Sequence, residues 1–300
     1  MFPGITMHDI IKNRTPSYGK DPRAFLTAAA AEPRLSSLGL GCARVGSFNN
    51  PQSLAESRDL IARAIALGVT SIDTANIYGQ GDSETQIGLA LKGRRDAAFV
   101  ITKTGKAFSA KMKLLRPFKP LLRQLLAARG QREAAQDSAV TARRTTEMRE
   151  DWAPTSFSRS LEESLRRLQM SYVDALLLHS PPPSVAGDPA IGDALVALRV
   201  AGKLRHFGVS CDNAETMVAA LTMKGLTMLQ LPWDVIAGID TASANSIREQ
   251  GIMVLAREVI RLQPTLGPEA AVRDAMDHPL VSCALVGTTS RAHLQALAAV

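Results

Sequence analysis

The sequence predicts an α/β protein folded as a (β/α)8 TIM barrel, on three observations. Short apolar runs alternate with amphipathic stretches from Leu35 to the end of the chain. Regular alternation of this kind argues for a parallel sheet covered by helices. Eight such units can be traced, a number that closes a barrel more readily than it fills an open doubly wound sheet. The third observation is that Asp73, Lys103 and His179 stand where apolar runs end, and a barrel gathers such ends on one rim.

The elements follow in order. LSSLGLG (35–41) reads as the first strand, with no glycine-rich phosphate turn after it. Leu54–Leu67 carries Ile61, Ala64, Ile65 and Leu67 near one helical face, and Gly68 supplies a C-terminal stop. VTSID (69–73) is a strand, Ser83–Leu91 a short helix closed by Gly93, and AAFVITK (97–103) a strand. Phe157–Leu168 is a helix with Thr155 or Ser156 as its expected cap. YVDALLLH (172–179) is apolar almost throughout, as in a strand buried on both faces.

Asp188–Val200 is then a helix ended by Gly202, LRHFGVS (204–210) a strand and Asn213–Thr222 a helix. LTMLQLP (226–232) and GIMVLA (251–256) are strands on either side of a helix near Thr241–Glu249. Glu269–Met276 is a short helix, VSCALVG (281–287) the eighth strand and Arg291–Ala299 the last helix.

Two segments stand outside this rhythm. Residues 1–34 mix Pro, Gly and charge around a weak helical stretch at Ala24–Ala31, and are expected to form a loosely ordered extension to a barrel of residues 35–300. Residues 104–155 form a connection far longer than the usual 2–6 residues and are read as one long loop. Its leucines, among them Leu114, Leu115, Leu121 and Leu125, follow a near-helical spacing amid Lys and Arg, which suggests packing on the protein. Asp151 and Trp152 are placed as anchors of its far end.

Charge is concentrated in that loop. Between Lys103 and Arg149 there are twelve Lys or Arg and three acids, a sum of +9, whereas the chain totals +7; the rest therefore sums to −2. The basicity belongs to one segment, so no nucleic-acid-binding surface is expected. A solvated insertion, steering of an anionic ligand, and docking to an acidic partner or membrane surface remain open for it. No apolar run reaches the ~18–20 residues of a membrane helix. Cys42, Cys211 and Cys283 are odd in number and far apart, which argues against a disulfide framework and for a cytoplasmic setting. No His-x-His or carboxylate cluster marks a metal site, which leaves a metal-dependent hydrolase a weak reading.

Asp73, Tyr78, Lys103 and His179 together suit carbonyl reduction. A carbonyl needs a hydride on carbon and a proton on oxygen. A free tyrosine, with a pKa near ~10, is a poor acid at neutral pH, and an ammonium beside it stabilises the phenolate. Asp73 can orient Lys103, and His179 can hold the carbonyl oxygen by a hydrogen bond.

At these residues the chain resembles the aldo-keto reductase family. LGLGCARVG is similar to that family's first strand, GVTSIDTANIYGQGDSE (68–84) to its signature, SLEESLRRLQMSYVDALLLHSP (160–181) to the stretch bearing its histidine, and AGKLRHFGVS (201–210) to its fifth-strand motif. The resemblance implies a catalytic tetrad of Asp73, Tyr78, Lys103 and His179, and NADP(H) in preference to NAD(H), bound across the barrel mouth without a Rossmann motif or a metal. It implies nicotinamide-amide contacts from Ser210 and Gln230, backbone contacts at Cys42 and Ala43, and Arg257 beside the nicotinamide. It places the phosphates at Gly287, Thr288 and the start of the last helix, with His293 as the basic residue near the 2′-phosphate.

The sequence departs from the family's pattern at several places, among them Arg257, where an aromatic residue is often found, and His293, the only match for the usual basic residue. Cys211 stands where an Asn is usual, Ala296 and Leu297 replace an acid–Asn pair that grips adenine, and the sequence stops at Val300 without the usual tail. These departures keep a second reading in play, a cofactor-binding regulatory or docking protein on a reductase scaffold.

Overall fold

In a barrel the strand alternation decides which side chains fill the lumen and which meet the surrounding helices. The computed structural model describes residues 33–47, 50, 52–108 and 148–300. The expectations for residues 1–32 and for the leucine stripe and basic run of 109–147 fall outside the described residues.

Strand β1 (Leu38–Gly41) is followed by helix α1 (Leu54–Ala66). Ser53 caps α1 reciprocally with Glu56: the Ser53 hydroxyl accepts from the Glu56 N–H, and the Glu56 carboxylate accepts from the Ser53 N–H. β2 (Ser71–Asp73) leads through a tight turn at Tyr78–Gly81 into α2 (Asp82–Ala90), and β3 (Phe99–Thr104) follows. After β3 come α3 (Pro154–Leu168), β6 (Val173–His179), α4 (Pro183–Ala186), α5 (Pro189–Val200) and β7 (Leu204–Ser210). The second half contains α6 (Ala214–Ala220), β8 (Met228–Pro232), α7 (Trp233–Ala237), α8 (Thr241–Glu249), β9 (Met253–Arg257), α9 (Pro268–Asp277), β10 (Val281–Val286) and α10 (Arg291–Ala298).

Three findings differ from the sequence reading. The segment 104–155 is not one loop at its ends: β4 (Lys106–Phe108) and β5 (Met148–Glu150) pair antiparallel, with Lys106 opposite Glu150. α3 begins before its expected cap. Its N-cap is Ala153, which makes no side-chain cap bond, and Pro154 starts the first turn. Proline suits that position because its fixed φ is helical and its missing N–H would have no partner there. The short helices α4 and α7 span four and five residues, too few for a helical period to show in the sequence.

The barrel closes in the order β1–β10–β9–β8–β7–β6–β3–β2, with neighbouring strands parallel. Alternate strand residues point inward. Phe99, Ile101, Ala175, Leu177, Met228, Leu255, Cys283 and Leu285 form the buried cluster inside the barrel. Their neighbours Val100, Leu176, Leu178 and Val209 join Phe157, Leu161 and Ile61 in a second cluster between strands and helices. Extending the inward rows by one step, Ile101 leads to Lys103 and Leu177 to His179. The same alternation that packs the lumen thus lifts these two polar residues to its C-terminal mouth. No described helix is long and apolar enough to cross a membrane.

Packing between α2 and α3 rests on a missing side chain. A Cβ on Gly88 would lie 2.2 Å from the Leu168 carbonyl oxygen. Gly88→Ala should therefore force the two helices apart and cost about 1–3 kcal/mol, read as a lower urea midpoint. Gly187→Ala is the control. Gly187 has φ −95° and the nearest atom to the added methyl lies at 3.5 Å, an ordinary contact, so stability should hold or rise slightly.

Candidate active site

The site is assembled around a buried charge. Lys103 projects inward at the end of β3, where its side chain is only 1% exposed. A lone ammonium at such a place would carry a large desolvation cost, which a paired and hydrogen-bonded one offsets. Lys103 Nζ donates to Asp73 Oδ1 at 2.6 Å and to the Thr74 carbonyl at 3.0 Å. Asp73 Oδ1 also accepts from Gln230 Nε2 at 3.0 Å, and Gln230 Oε1 accepts from Ser210 Oγ at 2.8 Å. A continuous buried chain therefore runs Ser210–Gln230–Asp73–Lys103 across the mouth. Burial opposes the ammonium, but Asp73 and the Tyr78 phenol outweigh it and hold Lys103 above its ordinary range.

Tyr78 lies over this pair. The Lys103 ammonium is 5.2 Å from its ring centroid, and the His179 ring meets Tyr78 edge-on at 5.7 Å and 88°. The turn that carries Tyr78 is tight, with positive φ at Gly79 (59°), Gln80 (61°) and Gly81 (90°). A Cβ at Gly79 would come 2.5 Å from the Val45 carbonyl oxygen, so the turn sits directly on the loop after β1.

Its flanks are bonded into the barrel. Ser83 Oγ pairs with Thr74 Oγ1 at 2.8 Å and donates to the Cys42 carbonyl at 3.1 Å. The fully buried Glu84 accepts from Thr102 Oγ1 at 2.7 Å and from Arg167 Nε at 2.6 Å. Asn76 Nδ2 donates to the Lys106 carbonyl at 2.8 Å. Glu84, Arg167, Asn76 and Lys106 were not singled out from the sequence. The only signal for Glu84 and Asn76 was their place within the signature stretch 68–84, and for Arg167 its place within 160–181; Lys106 had none.

The electrostatics fit a proton donor beside a neutral imidazole. Burial raises the Tyr78 pKa and outweighs the lowering by Lys103, so the phenol stays protonated at neutral pH. This corrects the simple expectation that the ammonium sets a low pKa. Its direction is as expected, but desolvation wins. His179 is driven well below its ordinary pKa of 6.5, first by burial and then by Lys103, Lys106 and Arg257. It is neutral at pH 7, and its buried Nδ1 has no hydrogen-bond partner among the described residues.

The residues implied as cofactor contacts take up three kinds of position. Ser210 and Gln230 belong to the buried chain itself. Arg257 ends β9, and its guanidinium donates to the Cys211 carbonyl at 3.0 Å and pairs with Asp212 at 2.5 Å and with Glu258. The backbone of Cys42 is engaged within the protein: its N–H donates to the Asp73 carbonyl, and its carbonyl accepts from Val45 N–H and Ser83 Oγ. Ala43 follows it on the surface. Gly287 adjoins Gly41 at the rim, and Thr288 Oγ1 accepts from the Ser290 N–H at 3.0 Å. Ser290 caps α10 by accepting from the His293 N–H at 3.3 Å, and the His293 side chain is exposed. Cys211 is fully buried in the outer core. Asp151 and Trp152 do anchor the far end of the long connection. Asp151 N–H donates to the Gly105 carbonyl at 2.9 Å, and the Trp152 indole fills the space a Cβ on Gly105 would need.

Acidification should expose the neutral imidazole as a stability effect. Unfolded, His179 takes up a proton near pH 6.5; folded, it resists until well below that value. The unfolded state thus binds more protons in that window, and stability is lost as pH falls through it. Between about pH 7 and pH 5.5 the Tm of the wild type should fall more steeply than that of His179→Gln. Parallel curves in differential scanning fluorimetry would contradict the assignment.

A sequence profile described as the aldo/keto reductase family matches residues 37–262. The "probable aldo-keto reductase 1" of Glycine max is 25% identical over 224 residues, covering 74% of this chain and 55% of that protein. The chain spans about half the length of the curated relatives it matches. Among solved structures, an aldo-keto reductase from Bacillus halodurans in its holo form superposes with a TM-score of 0.65 at 20% identity, covering 88% of this chain and 86% of that one. An aldo/keto reductase from Klebsiella pneumoniae, solved with NADP and acetate, superposes with a TM-score of 0.57 at 21% identity, covering 88% and 85%.

Proposed function

The chain belongs to the aldo/keto reductase family, and we propose that it is an NAD(P)(H)-dependent oxidoreductase that reduces an aldehyde or ketone, or oxidises the matching alcohol, with Tyr78 as general acid/base. The observation that carries this reading is the buried Lys103–Asp73 pair set beneath a protonated Tyr78 with a neutral His179 at its edge.

The mouth suits a nicotinamide cofactor. Gln230 Nε2 has a second proton beyond the one given to Asp73, and Ser210 Oγ can still accept, so the pair matches a carboxamide. Gly41 and Gly287 adjoin at the rim without side chains to obstruct a phosphate, and the start of α10 offers backbone N–H groups close by. Arg257 is placed to lie beside the ring, and His293 is the candidate for the 2′-phosphate. NADP(H) is favoured over NAD(H), a choice supported by the Klebsiella pneumoniae relative solved with NADP. When bound, the cofactor supplies or accepts the hydride.

The protein's own residues handle the proton. Tyr78 delivers its phenolic proton to the carbonyl oxygen as negative charge develops there. The resulting phenolate is stabilised by Lys103, whose charge Asp73 holds in place. His179, being neutral, donates one hydrogen bond to the same oxygen without competing as an acid. A regulatory protein without turnover is the weaker reading, because a binder has no use for a buried lysine–carboxylate pair beside a tyrosine.

Tyr78→Phe should lower kcat by about a thousandfold while NADPH affinity changes by less than about twofold. Steady-state kinetics with an aromatic aldehyde, paired with a binding titration, checks this. Activity near the wild-type level would refute the role of Tyr78. Titration of the two Trp residues and of nicotinamide fluorescence with NADPH and NADH should show tighter binding of NADPH. NADH preference would reverse the cofactor assignment, and no binding of either would overturn the reductase reading.

A further inference from the structure

Glu84 is a carboxylate with no exposed surface, and its two oxygens are held by different elements. Oε1 accepts from Thr102 Oγ1 of β3 at 2.7 Å, and Oε2 accepts from Arg167 Nε of α3 at 2.6 Å. Glu84 itself lies in α2, the helix into which the Tyr78 turn leads. One carboxylate therefore ties three elements together.

Each tie ends beside a reacting group. Thr102 immediately precedes Lys103 on β3. Strand alternation turns Thr102 outward to the helices and Lys103 inward to the mouth. Arg167 packs its stem on Gly81, three residues after Tyr78, where an added Cβ would lie 2.6 Å from Arg167 Cδ and 3.0 Å from Nε. Gly81 closes the turn at φ 90°, and its carbonyl accepts from Thr85 Oγ1 at 3.0 Å. The guanidinium is steadied within α3, where Nη2 donates to Ser164 Oγ at 3.1 Å and Nη1 faces Glu163 at 3.8 Å.

Stability alone is a poor account of this arrangement. A buried ion pair carries a desolvation cost that its attraction barely repays, and apolar side chains of similar volume hold a core as well or better. What a charged pair adds is direction, because a guanidinium N–H and a carboxylate oxygen meet in a narrow range of distance and angle. Here that direction is spent between the turn of Tyr78 and the strand of Lys103.

We propose that Glu84 and Arg167 are positioning residues for proton transfer, fixing the Tyr78 turn against the strand that carries Lys103. This rests on the reductase reading above. The pair acts through Tyr78 and Lys103 and not on the carbonyl itself. Misplacing a reacting group by ~1 Å can cost ~100-fold in rate, so loosening this tie is felt in the chemical step.

The test uses Glu84→Met/Arg167→Met, which removes both charges so that neither is left buried alone, with Thr102→Val and Arg167→Lys beside it. The rate is read as single-turnover oxidation of bound NADPH by saturating 4-nitrobenzaldehyde, so that product release does not mask the chemistry. NADPH affinity is read by fluorescence titration and folding by Tm. The double variant should melt within about 5 °C of wild type, bind NADPH within about twofold and react at least about tenfold more slowly. Thr102→Val should react about fivefold more slowly, because it cuts only the tie to β3. Arg167→Lys keeps the charge and the stem on Gly81 and should stay within about twofold of wild type. A folded double variant that reacts at the wild-type rate overturns the proposal and leaves the reductase reading intact. A loss of NADPH affinity as large as the loss of rate would mark general damage to the mouth and overturn it too. If the double variant does not fold, Thr102→Val decides, and a wild-type rate there overturns the proposal. A wild type that binds NADPH but reduces no aldehyde removes the premise and the proposal together.

Discussion

The site depends on one constraint, the need to keep a lysine charged inside a protein. Nothing in the lumen below Lys103 can solvate it, since the next inward residue on its own strand is Ile101 and the interior is filled by Phe99, Leu177 and Leu255. The ammonium is stable there only because Asp73 and the Thr74 carbonyl are within hydrogen-bond reach. Removing one partner of such a pair leaves an uncompensated buried charge, at a typical cost of ~3–5 kcal/mol. The same pair sets the local field for Tyr78 and helps to keep His179 neutral. Stability and chemistry are therefore coupled through one contact between β2 and β3.

The second requirement is to hold a tyrosine over that pair from outside the strands. Tyr78 lies on a turn with three successive positive φ values, a backbone that would not hold its shape unaided. Side chains from separate elements fix it: Ser83 to Thr74 just after β2 and to the loop after β1, Glu84 to β3 and α3, and Asn76 to β4. Arg167 serves the same end twice. It neutralises buried Glu84, and its side chain packs so tightly on Gly81 that a Cβ there would lie 2.6 Å from its Cδ. Rigid support of this kind is what a proton-transfer geometry needs, because small displacements of a reacting group are costly to rate.

The rim beyond the central pair is a balance of charges contributed by loops. Arg257 ties the end of β9 to the β7 loop through Cys211 and Asp212, and Ser180 Oγ donates to Asp212 at 2.9 Å to bring in the end of β6. This strap fixes a cation at the mouth and simultaneously neutralises it. The β4–β5 ladder sets Lys106 opposite Glu150 and uses Trp152 on Gly105 to hold the ladder against the barrel.

The barrel was legible in the sequence because strand and helix periods are local. LRHFGVS and Thr241–Glu249 carry the same limits in the structure as in the sequence pattern, and Asp73, Lys103 and His179 are visible as polar ends of apolar runs. Residue type and strand register together specified those three positions, since alternation fixes which residues point inward. What depends on contacts between distant segments was not legible. Gln230 meets Asp73 across 157 residues, and Arg167 meets Glu84 across 83. No local period records such partners. The pKa of Tyr78 was misjudged for the same reason, because the sequence shows the nearby lysine but not the burial that outweighs it. The sequence determined the fold and the candidate reacting groups; only closure of the barrel decided which charges are buried and which are paired.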